Sequence, residues 1–247
     1  MKTETPKGFS DYTDEEALKR ADIKKIISET FSLYGFEPVE TPIVEYEEFV
    51  KGENTEDEAV SDIFKLQDKG KRKLALRYEL TFPLKRVAKN KKLPYKRFSI
   101  GPVFRDEPVT AKRFRQFTQA DADIIGSTPK DEAELLALVY EIMKKLGIKQ
   151  EIYINNRKLL NEILDNLAIN KKDKEQILRE IDKLDKLPEK TIKANLKKYN
   201  AEKLLQILRK PESFFKKYNS YKEIQELKEY CNLYGIKVTF RPSLVRG

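Results

Sequence analysis

Residues 96–126, "KRFSIGPVFRDEPVTAKRFRQFTQADADIIG", constrain the fold more than any other part of the chain. Two extended runs flank Pro108 to Lys112, which predicts an antiparallel hairpin closed by a loop of about five residues. Successive side chains of a strand point to opposite faces. On that rule Ser99, Gly101, Val103, Arg105 and Glu107 share one face of the first run, and Phe98, Ile100 and Phe104 the other. The second run separates Arg113, Arg115, Phe117, Gln119, Asp121 and Asp123 from Phe114, Ala120, Ala122 and Ile124. Nearly all the polar chemistry therefore gathers on one side of one hairpin. A symmetric loop sets Glu107 opposite Arg113 and Arg105 opposite Arg115. Two facing arginines repel unless an anion lies between them. The face is graded, with cations and an aromatic near the loop, an amide midway and carboxylates farthest away. From Arg115 to Asp123 the strand spans about 26 Å, which implies an elongated ligand, anionic at one end and cationic at the other. The plain alternative is a solvated sheet face whose charges pair across strands. Gly101 and Phe117, on that same polar face, weigh against it.

The flanking segments frame this hairpin. "GFSDYTDEEALKRADIKKIISETFSLYG" reads as a turn and then a helix. Thr13 and Glu16 have capping-box spacing, Ile23, Ile27, Phe31 and Tyr34 recur at helical intervals, and Gly35 is placed to end the helix. "FEPVETPIVEYEEFV" is extended but interrupted by Pro38 and Pro42, which assigns it to a sheet edge or an interface. A polar, acidic loop runs from Gly52 to Asp57. "DIFKLQDKGKRKLALRYELT" predicts a hairpin around Asp68 to Gly70, followed by a helix after Thr81. This mixture lacks regular βαβ alternation, so the fold class is α+β with an antiparallel sheet. From Asn161 to Tyr234 the chain is Lys/Glu-rich and helix-forming, with breaks near Pro188 and Pro211, and Leu178, Ile181, Leu184 and Leu187 form the core row of a small bundle. "YGIKVTF" then alternates like a half-buried strand and leads into "RPSLVRG".

Composition narrows the chemistry. The 247 residues contain no histidine, which removes His-based triads, histidine general bases and zinc sites with His ligands, and no metal-binding residues are assigned. A single cysteine, Cys231, excludes an internal disulfide and reads as a packing residue of a reducing, cytoplasmic compartment. No stretch has the length and apolarity of a membrane span or a signal sequence. Fifty Lys and Arg against 41 Asp and Glu leave a net charge of +9. That is compatible with a nucleic-acid partner or with an ordinary solvated surface. Lysine doublets such as Lys171–Lys172 and Lys197–Lys198 are read as solvated.

"FRDEPVTAKRFRQFTQADADIIG" resembles motif 2 of class II aminoacyl-tRNA synthetases in its histidyl form. "YGFEPVETPIVEYEEF" resembles motif 1, with Pro42 at its proline, and "LALRYELTFPLKR" resembles the histidyl element that holds the amino acid. "INNRKLL" and the terminal "LVRG" are similar to histidyl patterns too, and all occur in collinear order. "LRYELT" and Asp123 resemble the archaeal and eukaryotic branch. The resemblance implies a class II synthetase-like antiparallel sheet flanked by helices, with a catalytic core at residues 1–160, a helical insertion at 161–234 and a returning core strand at 235–247. It implies that Arg105 meets the α-phosphate of ATP, Arg113 the γ-phosphate, and Glu107 and Phe117 the adenine. Glu79, Thr81 and Gln119 would receive the ammonium group of histidine, and Asp123 its imidazole. Arg246 would act at the α-phosphate.

The reaction so implied suits a chain without histidine. The carboxylate that attacks the α-phosphate is already ionised, so what is needed is in-line positioning and neutralisation of charge, by arginines and Mg2+. In the second step the terminal ribose hydroxyl of tRNA(His) attacks the adenylate, a phosphate oxygen taking the proton. A homodimer is implied as well. A non-catalytic paralogue, similar to the regulatory subunit of ATP phosphoribosyltransferase, would sense histidine without needing Arg105, Arg113 and Arg246. A nucleic-acid-binding module is allowed by charge but does not require the amino-acid pocket. Beyond Gly247 the family continues with a tyrosine-containing segment, motif 3 and an anticodon-binding domain. The expectation is therefore a truncated product, or one half of a split enzyme whose separate C-terminal polypeptide carries these parts, inactive alone.

Overall fold

Helix α1, Asp14–Leu33, begins the first of two units into which the chain divides, Met1–Ser127 with Glu141–Gly147, and Thr128–Tyr140 with Ile148–Gly247. The computed structural model describes residues 3–52, 60 and 62–245. Thr13 is the N-cap of α1, but its side chain makes no capping hydrogen bond. The capping box with Glu16 is not formed, and Asp14, Glu15 and Glu16 supply negative charge to the first turn instead. The other end closes as expected on Gly35 at φ +78°, where the Gly35 N–H donates to Ser32 O and the Phe36 N–H to Phe31 O. Only Thr30 and Phe31 of the helix are buried, Phe31 against Phe98 with ring centroids 5.1 Å apart, whereas Ile23 is exposed.

Strands β1 (Glu37–Pro38), β2 (Val44–Tyr46), β3 (Lys65–Gln67) and β4 (Lys73–Leu76) fall in two sheets, with the short helix α2 (Glu47–Lys51) after β2. Among the described residues, β2–β4–β3 is antiparallel throughout, and its β3–β4 turn is pinned where Asp68 accepts from the Arg72 backbone and side chain. Most of the acidic loop expected at 52–57 lies outside the described residues. Helix α3 (Leu84–Val87) follows Thr81. The other sheet is β1–β5–β6, with β5 at Tyr95–Phe104 and β6 at Gln116–Ile125. Pro38 stands in β1 at its edge, where a missing donor costs least.

The β5–β6 register sets Gly101 opposite Gln119, Val103 opposite Phe117 and Arg97 opposite Asp123. The strands end at Phe104 and Gln116, so the connection is residues 105–115 and not the shorter loop expected. One more cross-hairpin bond follows in the same register, Arg105 N–H to Arg115 O at 2.9 Å, and neighbouring segments then take over the hydrogen bonding. Gly8 O accepts from the Arg115 and Gln116 N–H groups, and Asp62 O from the Asp106 N–H. Gly8 is at φ +88°, and a Cβ there would lie 2.8 Å from Arg115 Cγ. The burial also departs from a simple two-faced sheet. Arg97, Ser99 and Val103 are buried on the supposedly polar face of β5, whereas Phe114 and Ala120 are exposed. Buried Arg77 joins the two sheets by donating from Nε to Pro102 O (2.8 Å) and from Nη1 to Thr41 O (2.9 Å). Gly101 makes room for it, since a Cβ would meet Arg77 Nη2 at 2.5 Å.

Helix α4 (Pro129–Lys145) contributes residues to both units. In the second unit β7 (Ile152–Ile154) pairs in parallel with β8 (Val238–Phe240), and between them come α5 (Arg157–Asn166), α6 (Lys174–Asp182), α7 (Glu189–Lys197), α8 (Lys203–Leu208), α9 (Glu212–Phe215) and α10 (Tyr221–Leu233). Pro188 and Pro211 immediately precede α7 and α9, the breaks expected of them. Leu178 and Ile181 are buried, but α6 ends at Asp182 and the following turn leaves Leu187 exposed. Phe240 fills the core against Phe215 (5.2 Å) and Tyr221 (5.5 Å), and Cys231 is buried. No helix among the described residues is long and apolar enough to cross a membrane.

Candidate active site

The segment after β4 runs beside the end of β5, because Phe104 N–H donates to Arg77 O and Arg105 Nε to Tyr78 O (3.1 Å). That pairing brings Glu79 and Thr81 to the face of β6 that carries Gln119, Asp121 and Asp123. Thr81 Oγ1 lies 3.4 Å from Asp121 Oδ2, and Gln119 Nε2 donates to both oxygens of Asp121 at 2.9 Å. Glu79 Oε1 accepts from the Phe82 N–H at 2.7 Å. Behind them Arg97, fully buried, pairs with Asp123 and donates from Nη2 to Leu80 O.

This end of the face is acidic and partly desolvated. Burial pushes the Glu79 carboxyl up; the Phe82 N–H and Arg105 oppose it, and the charges of Asp121 and Asp123 add to it. Burial likewise raises Asp123, against the pull of Arg97 and with the push of Asp121. The buried Oε1 of Gln119 has no donor among the described residues. Buried acceptors are as a rule paired, so a donor belongs there. Three carboxylates and a spare amide oxygen suit a compact cation with several N–H groups. Glu79 and Thr81 also line a cavity of about 550 Å³ with Phe49, Tyr78, Phe82 and Ile125, a volume in the range of small-molecule sites. Gln119, Asp121 and Asp123 are not part of that lining, and their mutual contacts define the site better than the cavity does.

The other end is cationic. Arg105 stands 5.2 Å from the centre of the Phe117 ring, and Glu107 lies between Arg105 (3.9 Å) and Arg113 (3.2 Å). Arg115 turns to Asp106 at 2.9 Å and to Glu107 O. The expected repulsion between facing arginines is thus relieved by acids of the chain itself. The Arg113 side chain is 68% exposed and can leave Glu107 for a stronger anion. Arg246 lies outside the described residues. In the second unit, Asn155 of the "INNRKLL" segment donates to Pro242 O and Leu244 O, both at 2.9 Å, and so fixes the backbone just before "VRG".

Two residues of this face escaped the sequence reading. Arg97 carries no sequence signal beyond being one more step of the same alternation, two positions before Ser99 and opposite Asp123. Asp121 was placed on the face without a role, yet it is the hub that Thr81 and Gln119 share.

The fold is that of class II synthetases. It matches a crystal structure of histidyl-tRNA synthetase from Nostoc with a TM-score of 0.86, at 22% identity, over 100% of this chain and 62% of that one. It also matches a structure of an ATP phosphoribosyltransferase regulatory subunit/histidyl-tRNA synthetase from Bacillus halodurans, with a TM-score of 0.81 and 22% identity, over 98% of this chain and 68% of that one. The family itself is defined by sequence. Residues 8–247 match the model of the family described as Histidyl-tRNA synthetase, and the chain belongs to that family. Histidine–tRNA ligase 1 of Bacillus cereus is 36% identical over 100% of this chain and 63% of its own length, so the chain spans somewhat under two thirds of such relatives. This relative is bacterial, and these matches lend no support to the archaeal and eukaryotic likeness of "LRYELT" and Asp123.

Proposed function

We propose that the chain carries the catalytic region of a histidine–tRNA ligase, which activates histidine with ATP and transfers it to tRNA(His). The observation that carries this reading is the polarity of one sheet face, a half-buried cluster of carboxylates at one end and Arg105 beside the Phe117 ring at the other. Glu79, Thr81 and Gln119 receive the ammonium group, with Asp121 holding the last two in place, and Asp123 receives the imidazole. Phe117 stacks on adenine and Glu107 accepts from it. Arg105 and Arg113 take the α- and γ-phosphates, Arg113 exchanging Glu107 for the nucleotide. Arg246 is assigned to the α-phosphate by family likeness. Among the described residues no group of three or more acidic, Cys or His side chains is placed to hold a metal ion. Mg2+ bound with the nucleotide would add to the neutralisation of phosphate charge that Arg105 and Arg113 supply. The protein's part is to align an already ionised carboxylate with the α-phosphate and to neutralise charge there.

Residues 1–160 serve as the catalytic core, 161–234 as an insertion near the tRNA, and 235–247 as the returning core segment that carries Arg246; the working form is a cytoplasmic homodimer. Binding of L-histidine and of ATP to the chain tests the reading, and histidine-dependent ATP–pyrophosphate exchange by the chain alone would refute the expectation that it is inactive alone. Histidine should bind in preference to lysine and glutamine, and Arg105→Ala should remove ATP binding while sparing histidine. Binding of histidine without ATP would support a sensor instead. Binding of neither contradicts both.

A further inference from the structure

We propose that Arg97 is the positioning residue of the amino-acid pocket, a buried guanidinium that holds the Asp123 carboxylate and the Leu80 carbonyl together and so sets the spacing between the two ends of the bound amino acid. The inference rests on the reading of the site just given. Asp123 stands on β6, whereas Glu79 and Thr81 arrive on the segment after β4. Arg97 on β5 touches both elements. It pairs with Asp123, directly opposite in the register, and its Nη2 donates at 3.0 Å to the carbonyl of Leu80, the residue between Glu79 and Thr81.

The economy of these contacts argues for geometry over stability. Arg97 is 0% exposed, yet its Nε and Nη1 have no acceptor among the described residues. A buried guanidinium with donors left over is costly, and a buried ion pair is a poor stabiliser compared with apolar side chains of similar volume. What the group does accomplish is local. Both the carboxylate and the carbonyl meet one nitrogen, Nη2, whose two N–H directions are fixed in the plane of the guanidinium, whereas a lysine ammonium on a flexible stem would hold them less rigidly. The remaining charges that face Asp123 are Asp121 on the same strand and Glu79 from the segment after β4. Both repel it, and Arg97 is the cation that opposes the upward push of burial and of Asp121 on its carboxyl.

The test compares Arg97→Met, Arg97→Lys, Asp123→Asn and the double variant R97M/D123N in the whole chain. Arg97→Met should weaken histidine binding about 30-fold. The double variant should bind no more weakly than the weaker single one, because Arg97 acts through Asp123. Arg97→Lys, which keeps the charge and the fold but loses the shared grip, should still weaken binding about tenfold. Carbon-13 NMR of the ligand-free chain gives a readout independent of histidine: Arg97→Met should raise the proton affinity of the Asp123 carboxyl at least tenfold. Losses that multiply in the double variant, undiminished affinity in Arg97→Lys, or an unmoved Asp123 titration in folded Arg97→Met would each overturn the proposal. If the unaltered chain bound no histidine, the reading of the site would fall, and the titration would still decide whether Arg97 governs Asp123.

Discussion

Glu180 in the helical unit and Glu79 in the sheet unit are both withdrawn from solvent, and they are treated in opposite ways. Glu180 on α6 is surrounded by donors, Lys183 Nζ at 2.7 Å, Asn195 Nδ2 at 2.8 Å and Gln176 Nε2 at 3.3 Å. These, Lys183 above all, hold its carboxyl below the usual carboxylate range in spite of burial. Glu79 has the Phe82 N–H and two acidic neighbours, and burial carries it above that range. An acid saturated by its own chain is part of the scaffold. An acid left short of donors among like charges is poised for a cation from outside, and the difference separates structural from binding carboxylates without reference to any relative.

The comparison can be broken in several places. The largest effect belongs to the scaffold alone: Leu178→Ala, in the apolar core of the helical unit, should cost about 2–5 kcal/mol in denaturant unfolding and leave the histidine affinity of the folded chain within about twofold. Next, Glu79→Gln should reduce histidine affinity about 100-fold, some ~2.7 kcal/mol, with little change in the stability of the free chain. Glu180→Gln should do the reverse, costing about 1–2 kcal/mol of stability and sparing the affinity, as calorimetry of both variants would show.

A subtler division appears in the pH dependence of unfolding. Glu180, with its lowered value, adds stability that is present above the ordinary carboxylate range and is lost as pH falls through its depressed value. Glu79 and Asp123 have raised values, so the folded chain holds protons that the unfolded chain has shed, and their contribution to stability declines as pH rises through those values. Melting curves from acid to neutral pH should therefore have a shallower acid limb in Glu180→Gln, with Glu162 and Glu223 sustaining the rest, and a smaller decline toward neutrality in Glu79→Gln, with Asp123 sustaining the rest. The smallest effect is expected at the exposed pair Lys171 and Lys172, whose replacement by alanine should move stability by less than about 0.5 kcal/mol.

Much of this was legible in the sequence, and the failures have physical causes. Alternation across 96–126 implied the register that the strands adopt, and from it the Glu107–Arg113 contact follows. It could not give the strand ends, because these depend on Gly8 and Asp62, which arrive from distant parts of the chain. Helical periodicity found α1 and α6 but neither how much of α1 a neighbour covers nor where α6 ends, so Ile23 is exposed on its helix and Leu187, beyond the end of α6, is exposed where a core row was expected. Arg97 was missed because an arginine at the start of a strand reads as a surface residue until its partner across the sheet is considered. Gly101, by contrast, was noticed as out of place on a polar face, and Arg77 supplies the reason.

The central claim is that the acidic end of the β5–β6 face receives a histidine cation. Carboxyl carbon-13 NMR of the chain across a pH series, with and without saturating L-histidine, tests it most directly. Without ligand, Glu79 and Asp123 should titrate above the ordinary carboxylate range and Glu180 below it; histidine should draw Glu79 and Asp123 down and leave Glu180 where it was. Glu79 and Asp123 titrations that do not move with histidine, or that move no more than Glu180, would contradict the account.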